Sequence, residues 1–407
     1  MSLDLSQALA QISDMAERLT EGRKEHAERL AHAIQTLGKA DPEHLARKAA
    51  SSRTTWLVAA PTEGLERSYP PPPCPPDYAA IATDGSHIDV DPHGAARCYL
   101  INIGSAVLRY GASPEAVLQS QPNLCADEEE MALLDPEGSR EERVEGALLG
   151  VKRAVEECRA LADLCRSPLA IPTIALLDGS LILWGLTGKA LPDYVREAFL
   201  EKGLVKALDT LKEASKTRPL ALASYISRPR STEVVNLLRL ALCPHEPANC
   251  DRFCPGPRPS TGSGQRPPKP RECDAVAGVQ DRDLFAALLK AGERSATFAS
   301  RSRIMSYYGE HEVRFFYLRL EDEVARVELP RWAAEDEGLL GLAHALVLDQ
   351  CRRGRGYPAA LAEAHEQAVL TGADREAFWH LVEAALAERG LPAATSAKSQ
   401  AKRTRWI

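Results

Sequence analysis

Two segments of the chain end in the same tripeptide, Asp-Gly-Ser, directly after a run of apolar residues. Asp84 follows Ile81-Ala-Thr, and Asp178 follows Ala175-Leu-Leu. One isolated copy would be typical of a simple turn. Two copies after apolar runs predict two carboxylates at a cleft edge, where the adjacent glycine lets another group approach closely. On neighbouring strands, the two carboxylates could share hard cations such as Mg²⁺ or Mn²⁺, which prefer oxygen ligands.

A third acidic group is expected on the helix between the two aspartate strands. The order of elements (strand with Asp, hairpin strands, helix, strand with Asp, helix) is that of the RNase H-like nucleases, in which this helix supplies a Glu. A strand over 172–178 rises about 23 Å, which a helix covers in about 15 residues. Counting back from a helix end near Cys165 gives a position near 150. Glu145 lies five residues from that position and Glu156 six, with Glu142 a turn beyond Glu145, so the count leaves the choice open.

The pattern around these residues predicts an α/β fold with a mixed sheet. Strands are predicted at 78–84, 97–105, 106–110, 171–178 and 218–227, with a hairpin at 312–320 and 324–329. Helices are predicted at 140–165, 192–215 and 231–242, and three more over 332–389. Residues 111–138 are a polar stretch between them. This alternation favours layers of helices on a mixed sheet.

Composition along the chain predicts five segments. Leu5, Leu9, Ile12, Met15 and Leu19 recur at helical spacing and predict an N-terminal helical region over 1–68. The proline-rich segment 69–76 is expected to be a stiff linker, because prolines lack N–H donors and fix φ. We expect a core domain over 77–390, which contains an insertion at 243–280, and a disordered basic tail over 391–407.

The insertion concentrates cysteines in a loop that is too poor in apolar residues to fold by itself. Cys243, Cys250, Cys254 and Cys273 have the spacing C-x6-C-x3-C-x18-C. This spacing suits a four-thiolate site, although it matches no standard zinc pattern. Prolines beside Cys243 and Cys254 are also common around iron–sulfur clusters. We therefore expect these cysteines to hold one structural metal, either Zn²⁺ or an iron–sulfur cluster.

The overall composition is that of a globular protein rather than a membrane protein. The chain has 407 residues, of which 44% are hydrophobic, and a net charge of −7. That charge does not exclude nucleic-acid binding, because phosphate contact needs only a local basic track. No apolar run approaches the roughly 20 residues that span a bilayer, and the N-terminus has no signal-peptide pattern. We expect a cytoplasmic protein without a membrane partner.

The paired Asp-Gly-Ser motifs resemble those of the NurA family of DNA nucleases. Val144-Glu145-Gly-Ala-Leu-Leu is similar to the glutamate-bearing helical run that precedes the second motif in that family. The family's C-terminal signature is similar to Tyr357-Pro-Ala-Ala-Leu-Ala-Glu-Ala-His365-Glu-Gln-Ala. The resemblance extends from about Asp77 to Leu386 and implies an RNase H-like core with N-terminal helices and a C-terminal helical segment.

The same resemblance implies a site and an activity. Asp84, Glu145, Asp178 and His365 would be the catalytic residues and the ligands of Mn²⁺ or Mg²⁺. Ser227-Arg228 would lie on the DNA path, where Arg228 and Arg230 could each grip two phosphate oxygens. The implied activity is that of a single-strand endonuclease and 5′-to-3′ exonuclease. The implied setting is a homodimer that docks on a HerA-type hexameric ATPase during DNA end resection and double-strand break repair.

Two other functions are compatible with parts of the sequence. The chain could be a non-catalytic adaptor that keeps the nuclease fold to dock on a DNA-translocating ATPase, although a scaffold has no need of clustered carboxylates. Alternatively, the cysteine loop could make the protein a redox or metal-binding scaffold. The chain contains no Walker A loop, no Ser/His/Asp grouping and no dinucleotide fingerprint. We therefore do not expect it to hydrolyse ATP itself.

Overall fold

The computed structural model of the protein describes residues 4–91, 96–167, 169–187, 191–254 and 271–391. Most of the cysteine-rich insertion lies within these ranges, whereas the predicted basic tail lies outside them from residue 392 onward. Among the described helices, none combines the length and apolar character needed to cross a membrane.

The described strands are of two kinds: strands of six to twelve residues and short strands of two or three residues. In chain order they are β1 (Ala60–Pro61), β2 (Ser68–Tyr69), β3 (Tyr78–Ile88), β4 (Tyr99–Tyr110), β5 (Glu115–Cys125), β6 (Ala132–Leu134), β7 (Glu141–Arg143), β8 (Thr173–Asp178), β9 (Leu220–Ile226), β10 (Arg294–Ser295), β11 (Phe298–Ala299), β12 (Val313–Arg319) and β13 (Val324–Pro330).

The α-helices are α1 (Leu5–Lys39), α2 (Pro42–Ser51), α3 (Glu128–Met131), α4 (Ala147–Leu164), α5 (Asp193–Arg196), α6 (Lys206–Thr217), α7 (Glu233–Ala241), α8 (Cys250–Phe253), α9 (Asp281–Leu288), α10 (Arg331–Ala334), α11 (Glu337–Arg353), α12 (Ala359–Ala368) and α13 (Gly372–Glu388). A π-helical segment (Glu197–Val205) joins α5 to α6, and 3₁₀ turns occupy Trp184–Leu186, Glu272–Val276, Arg303–Tyr307 and Gly309–His311.

The chain forms two compact units, each built from separate stretches of sequence. The first unit contains residues 1–70, 227–302 and 314–327, and the second contains 71–226, 303–313 and 328–407. The first break falls within the proline-rich segment at 69–76. The other breaks have no counterpart in the composition of the chain, so the division into domains made from the sequence stays a prediction.

The first unit packs helices against short strands. The C-terminal half of α1 and helices α2, α7 and α9 share one core with residues of β11 and β12. Asp281, at the start of α9, is fully buried and accepts hydrogen bonds from the backbone N–H groups of Val234 and Val235 in α7. These two groups lie in the first turn of α7, where helix N–H groups have no partner within the helix. Asp281 therefore caps α7 from a distant part of the chain.

The second unit is built on a mixed sheet with strand order β9-β8-β3-β4-β5. Strands β3, β4 and β5 are antiparallel, and β8 and β9 run parallel to β3. Helix α4 contributes Val151, Val155 and Leu161 to the core on one face of this sheet. The predicted mixed-sheet α/β fold is confirmed, in the order expected of an RNase H-like core.

Strand β5 was not predicted from the sequence. It pairs with β4 along its full length: Glu115 lies opposite Arg109 at one end, and Cys125 lies opposite Tyr99 at the other. All of its residues except Cys125 are nevertheless exposed. Strand prediction depends on apolar residues that alternate with the pleat. A strand with two solvated faces lacks that alternation, and for this reason the stretch 111–138 reads as polar loop.

Candidate active site

Asp84 and Asp178 lie side by side on adjacent parallel strands. The last paired residues of β3 and β8 are Thr83 and Leu177. Asp84 and Asp178 follow them directly and therefore occupy matching positions on the two strands. Side chains at matching positions of neighbouring strands project from the same face, about 5 Å apart. Strand β3 itself continues past Asp84, because it remains paired with β4 as far as Ile88. The first aspartate thus marks the end of the parallel pairing rather than the end of its strand.

Glu157 of α4 reaches the two aspartates past the glycine of the first motif. A Cβ atom on Gly85 would lie 2.6 Å from Oε1 of Glu157, which is closer than such contacts ever are. The hydroxyl of Thr83, one residue before Asp84, donates to the backbone oxygen of Glu157 over 2.9 Å. Glycine at position 85 leaves the space that the helical carboxylate occupies beside the strand.

Arg153 stands one helical turn before Glu157 and is the cation nearest to these carboxylates in the described part of the unit. Its Nη1 lies 2.7 Å from Oε1 of Glu157 and 4.0 Å from Oδ1 of Asp84. The same nitrogen donates to the backbone oxygen of Gly85 over 2.5 Å. The guanidinium therefore bridges the helical glutamate and the first strand motif.

His365 is brought to Asp84 by the close approach of α12 to β4. Its Nδ1 lies 2.7 Å from Oδ2 of Asp84. Gly104 of β4 pairs with Asp84 across the strands, and a Cβ atom on Gly104 would lie 2.1 Å from the backbone oxygen of Ala364 in α12. Two residues away, the buried amide of Asn102 donates to backbone oxygens in the last turn of α12. The helix is thus fixed against the strand directly beside its histidine.

The second motif is held by a buried carboxylate and a tyrosine. The hydroxyl of Ser180 and the backbone N–H of Leu181 both donate to Oε2 of Glu328 over 2.9 Å. Gly179 adopts φ +80°, a conformation that favours glycine and turns the chain away from the strand. Tyr357 lies close enough to Asp178 to lower the pKa of that carboxyl, against the effect of burial. The C-terminal part of the chain thus contributes a neighbour to each aspartate: Tyr357 to Asp178 and His365 of α12 to Asp84.

Burial disfavours the charged forms of the carboxylates in this cluster. Desolvation raises the pKa of Glu157 to about 8; Arg153 opposes this shift, whereas the charges of Asp84 and Asp178 add to it. Desolvation also raises the pKa of Asp178, against the hydrogen bond from Tyr357 and together with the charge of Asp84. An added cation would favour the ionised form of both groups.

Glu145, the third carboxylate that the family resemblance implies, is paired elsewhere in the structure, and its assignment to the metal site stays a prediction. Glu145 lies just before the start of α4, where it pairs with Arg97 over 2.8 Å. The helix instead presents Glu157, whose side chain is only 9% exposed. The count from the sequence assumed that the helix ends level with the start of β8, but an eight-residue connection lies between Leu164 and Thr173.

A feature of the sequence could have identified Glu157. It precedes Leu161 and Leu164 by four and seven residues, which places it on the apolar stripe of the helix. Its neighbour Glu156 points away from that stripe and forms an exposed pair with Arg159. An acidic residue on the buried face of a helix needs a partner or a function, and this criterion separates the two glutamates where the distance count did not.

The four cysteines predicted to hold a metal are not grouped as ligands in the described part of the loop, and the metal stays a prediction. Cys243, Cys250, Cys254 and Cys273 are all free thiols, and no three His, Cys, Asp or Glu side chains in the described ranges are grouped so as to hold a metal ion. Arg53 exchanges backbone hydrogen bonds with Ala248 and Cys250, Ser52 accepts from the N–H of Ala248, and Lys48 donates to the backbone oxygen of Cys243. These contacts tie the described part of the loop to the N-terminal segment.

The two arginines predicted to contact DNA are exposed and belong to the first unit. Arg228 adopts φ +44°. Its Nε lies 3.5 Å from Oε2 of Glu323, and the hydroxyl of Ser227 donates to the same carboxylate. Arg230 is exposed two residues later. Their assignment to the DNA path stays a prediction.

The donor chemistry of the cluster fits a hard divalent ion. Asp84, Glu157 and Asp178 offer carboxylate oxygens, and His365 adds an imidazole. In the described ranges these groups are not arranged as a coordination set. Arg153 contacts Glu157, and His365 contacts Asp84. Burial raises the pKa values of Glu157 and Asp178, and a cation beside them would favour their ionised forms.

Comparison with known proteins identifies one domain family. The model of the NurA domain matches residues 78–370, which is more than half of the chain. The solved NurA nuclease from Sulfolobus solfataricus is 13% identical, with a TM-score of 0.48, and the likeness covers 96% of this chain and 98% of that chain. A solved NurA with manganese is 11% identical, with a TM-score of 0.36, covering 90% and 98%.

A third solved structure, NurA bound to dAMP and manganese, is 14% identical, with a TM-score of 0.34, covering 78% of this chain and 89% of that one. No curated protein sequence matches the chain. Because these TM-scores are below 0.5, the family assignment rests on the domain match.

Proposed function

The chain belongs to the NurA family, and from that premise we propose that it is a nuclease that hydrolyses DNA phosphodiester bonds with divalent metal ions. One observation carries this proposal. Asp84 and Asp178 stand in register on parallel strands, and Glu157 reaches them from a helix. Three carboxylates that meet in this way cost free energy unless a cation neutralises them, and a cluster of carboxylates is what metal-assisted hydrolysis of a phosphodiester requires.

The residues of the site divide the work of this reaction. Asp84, Glu157 and Asp178 would hold Mn²⁺ or Mg²⁺ through their oxygens. When bound, divalent ions activate water and stabilise the leaving 3′-oxygen. His365 accepts or gives a proton at its ring, or adds a ligand; its contact with Asp84 through Nδ1 directs Nε2 away from that carboxylate. Tyr357 orients Asp178. Arg228 and Arg230 would bind phosphates of the DNA.

The finer functional assignment follows the family resemblance of the paired motifs and the Tyr357–His365 signature. The enzyme is a single-strand endonuclease and 5′-to-3′ exonuclease with a preference for Mn²⁺. It acts as a homodimer on a HerA-type hexameric ATPase during DNA end resection and double-strand break repair. The cytoplasmic location expected from the sequence stays a prediction. The non-catalytic adaptor is disfavoured, because the carboxylate cluster has a cost that docking alone does not explain.

The proposal is tested with 5′- and 3′-labelled single- and double-stranded DNA in Mn²⁺, Mg²⁺ or EDTA. The wild-type protein should cut in Mn²⁺ and not in EDTA. Asp84→Asn and Asp178→Asn should each lower the rate by about 100-fold or more, since an amide keeps the shape and removes the charge that binds the ion. Asp163→Asn, at the exposed end of α4 and paired with Arg166, is the matched control and should cut normally. Cleavage that persists in EDTA or in either active-site variant would refute the proposal, and a folded wild-type protein without any cleavage would favour the adaptor.

A further inference from the structure

The contacts of Arg153 are unusual for a structural ion pair. Its Nη1 alone contacts Glu157, Asp84 and the backbone oxygen of Gly85, at 2.7, 4.0 and 2.5 Å. Its Nε is buried and has no hydrogen-bond partner. A guanidinium that is held permanently usually forms two parallel hydrogen bonds to a carboxylate. This one has a single contact point, and it lies where the carboxylates of the first motif and of α4 meet.

The surroundings of Arg153 explain why a cation is needed there. The side chains of Glu157 and Asp84 are only 9% and 11% exposed, so water contributes little to their solvation. Removing a charged partner from a buried carboxylate is costly. The side chain of Arg153 itself is 31% exposed, so it can leave the cluster without crossing the core.

We propose that Arg153 takes the place of a divalent ion in the metal-free protein and leaves Glu157 when the ion binds. The inference rests on the proposed function, because it assumes that the cluster binds a divalent cation. The guanidinium and the ion compete for the same carboxylate charge, and two cations within about 4 Å repel each other strongly where water is scarce. Arg153 is therefore a positioning residue that keeps Asp84 and Glu157 together until the metal arrives.

A permanent structural ion pair would behave differently from such a placeholder. A structural pair stabilises the protein equally with and without metal. A placeholder stabilises only the metal-free state, because the ion neutralises the same carboxylates afterwards. The dependence of the stabilisation on metal therefore separates the two roles without reference to cleavage.

The test compares Arg153→Met, Arg153→Lys and the wild-type protein. Thermal unfolding is followed in EDTA and in saturating MnCl₂, and Mn²⁺ binding is measured by calorimetry. Arg159→Met is the matched control, since Arg159 lies on the same helix and forms an exposed pair with Glu156 at 2.8 Å. Arg153→Met should have a lower Tm in EDTA, and about half or more of that deficit should disappear in Mn²⁺. Its Kd for Mn²⁺ should fall by about tenfold, as expected when a competing cation is removed.

Arg153→Lys and the control Arg159→Met make the test decisive even if Arg153→Met does not fold. Arg153→Lys retains the charge with a different shape and should lie between the wild type and Arg153→Met in both readouts, which decides the question if Arg153→Met does not fold. Arg159→Met should have the same small Tm change in both solutions and an unchanged Kd. A deficit of equal size in EDTA and Mn²⁺, or an unchanged or weaker Kd, would overturn the inference alone. A wild-type protein that binds no Mn²⁺ would overturn the proposed function and the inference with it.

Discussion

Nδ1 of His365 lies 2.7 Å from Oδ2 of Asp84, which joins residues that are 281 positions apart in the chain. The Asp84 side chain is 11% exposed and the His365 side chain 59%. The histidine is therefore open to solvent, whereas the aspartate is buried behind it. This pairing brings the C-terminal signature and the first Asp-Gly-Ser motif into one cluster. The resemblance implied such a meeting of motifs, and the structure supplies its geometry.

The geometry of α12 makes Gly104 essential for this pairing. Gly104→Ala would place a Cβ atom 2.1 Å from the backbone oxygen of Ala364, so α12 must move away and take His365 with it. We expect a loss of about 1–3 kcal/mol in the free energy of unfolding and a lower cleavage rate, measured by urea denaturation and by the labelled-DNA assay.

Gly150→Ala is the control for that substitution. Gly150 lies inside α4 with open space around its Cβ position, and alanine in a helix interior is favoured over glycine by roughly 0.5–1 kcal/mol. This variant should therefore be as stable as the wild type or more so. A Gly104→Ala protein with normal stability and activity would mean that α12 does not depend on this close packing.

The identity of the helical carboxylate gives a ranking of three glutamate variants. Glu157→Gln should lower Mn²⁺-dependent cleavage by about 100-fold or more, because it removes a buried charge beside the two aspartates. Glu145→Gln breaks only a pair with Arg97 outside the cluster and should retain near-normal activity. Glu156→Gln, next to Glu157 but paired with Arg159 on the helix surface, is the adjacent control. If Glu145→Gln were the inactive variant, the assignment of Glu157 would be wrong.

Asp281 predicts a pH dependence of stability in the first unit. Burial raises its pKa from 3.8 to about 6, against the hydrogen bonds from Tyr317 and from the first turn of α7. Since its pKa returns to the ordinary value on unfolding, the folded state binds the proton more tightly between about pH 4 and pH 6. The free energy of unfolding therefore falls as the pH rises through this window, by on the order of 3 kcal/mol, and the cost remains above pH 6.

The measurement compares urea unfolding of the wild type and Asp281→Asn at pH 4.5 and pH 7.5. Asparagine does not titrate and offers one oxygen to three donors, so the variant should be less stable at pH 4.5 by roughly 1–3 kcal/mol. Its deficit should be smaller at pH 7.5, where the wild type bears the cost of a buried charge. Asp251→Asn, an exposed position on α8, should show no such change. If the stability deficit of Asp281→Asn were larger at pH 7.5 than at pH 4.5, the pKa of Asp281 would not be raised by folding.

Arg228 and Arg230 are expected to bind DNA phosphates. Each phosphate contact releases condensed counterions, so Arg228→Ala and Arg230→Ala should each reduce the slope of log K against log salt by about 0.7–0.9. Fluorescence anisotropy with labelled DNA from 50 to 200 mM salt measures this slope. Arg166→Ala, an exposed arginine paired with Asp163, serves as the control. Slopes that stay the same in both variants would remove this segment from the DNA path.

The sequence predicts the parts of this fold that have a regular pattern. The strands that carry Asp84 and Asp178, the helix between them and the terminal helices are recognisable from apolar spacing and from the repeated motif. Strand β5 is not recognisable, because its side chains face solvent on both sides. The two-unit arrangement is equally hidden, because 227–302 and 314–327 join the N-terminal residues through contacts that are remote in sequence.

At the site, three of the grouped residues stand in sequence motifs, and the fourth has none. Asp84, Asp178 and His365 stand in recognisable motifs and are brought together. Glu157 has no motif, and its place depends on the connection between α4 and β8 and on the missing side chain of Gly85. In the cysteine loop the clustered thiols suggest a metal, which stays a prediction. The backbone pairing of its described part with Arg53 leaves no signal in the composition.

The central claim is that Asp84, Glu157 and Asp178 hold the divalent ion, and an anomalous diffraction experiment tests it most directly. Crystals of the wild-type protein are soaked in MnCl₂, and anomalous difference maps are calculated from data on either side of the manganese absorption edge. We expect a peak with carboxylate oxygens of Asp84 and Asp178 at about 2.1 Å, the range of Mg²⁺–oxygen distances, and with Glu157 turned toward it from Arg153. A manganese peak elsewhere in the protein, with none beside Asp84 and Asp178, would contradict the account.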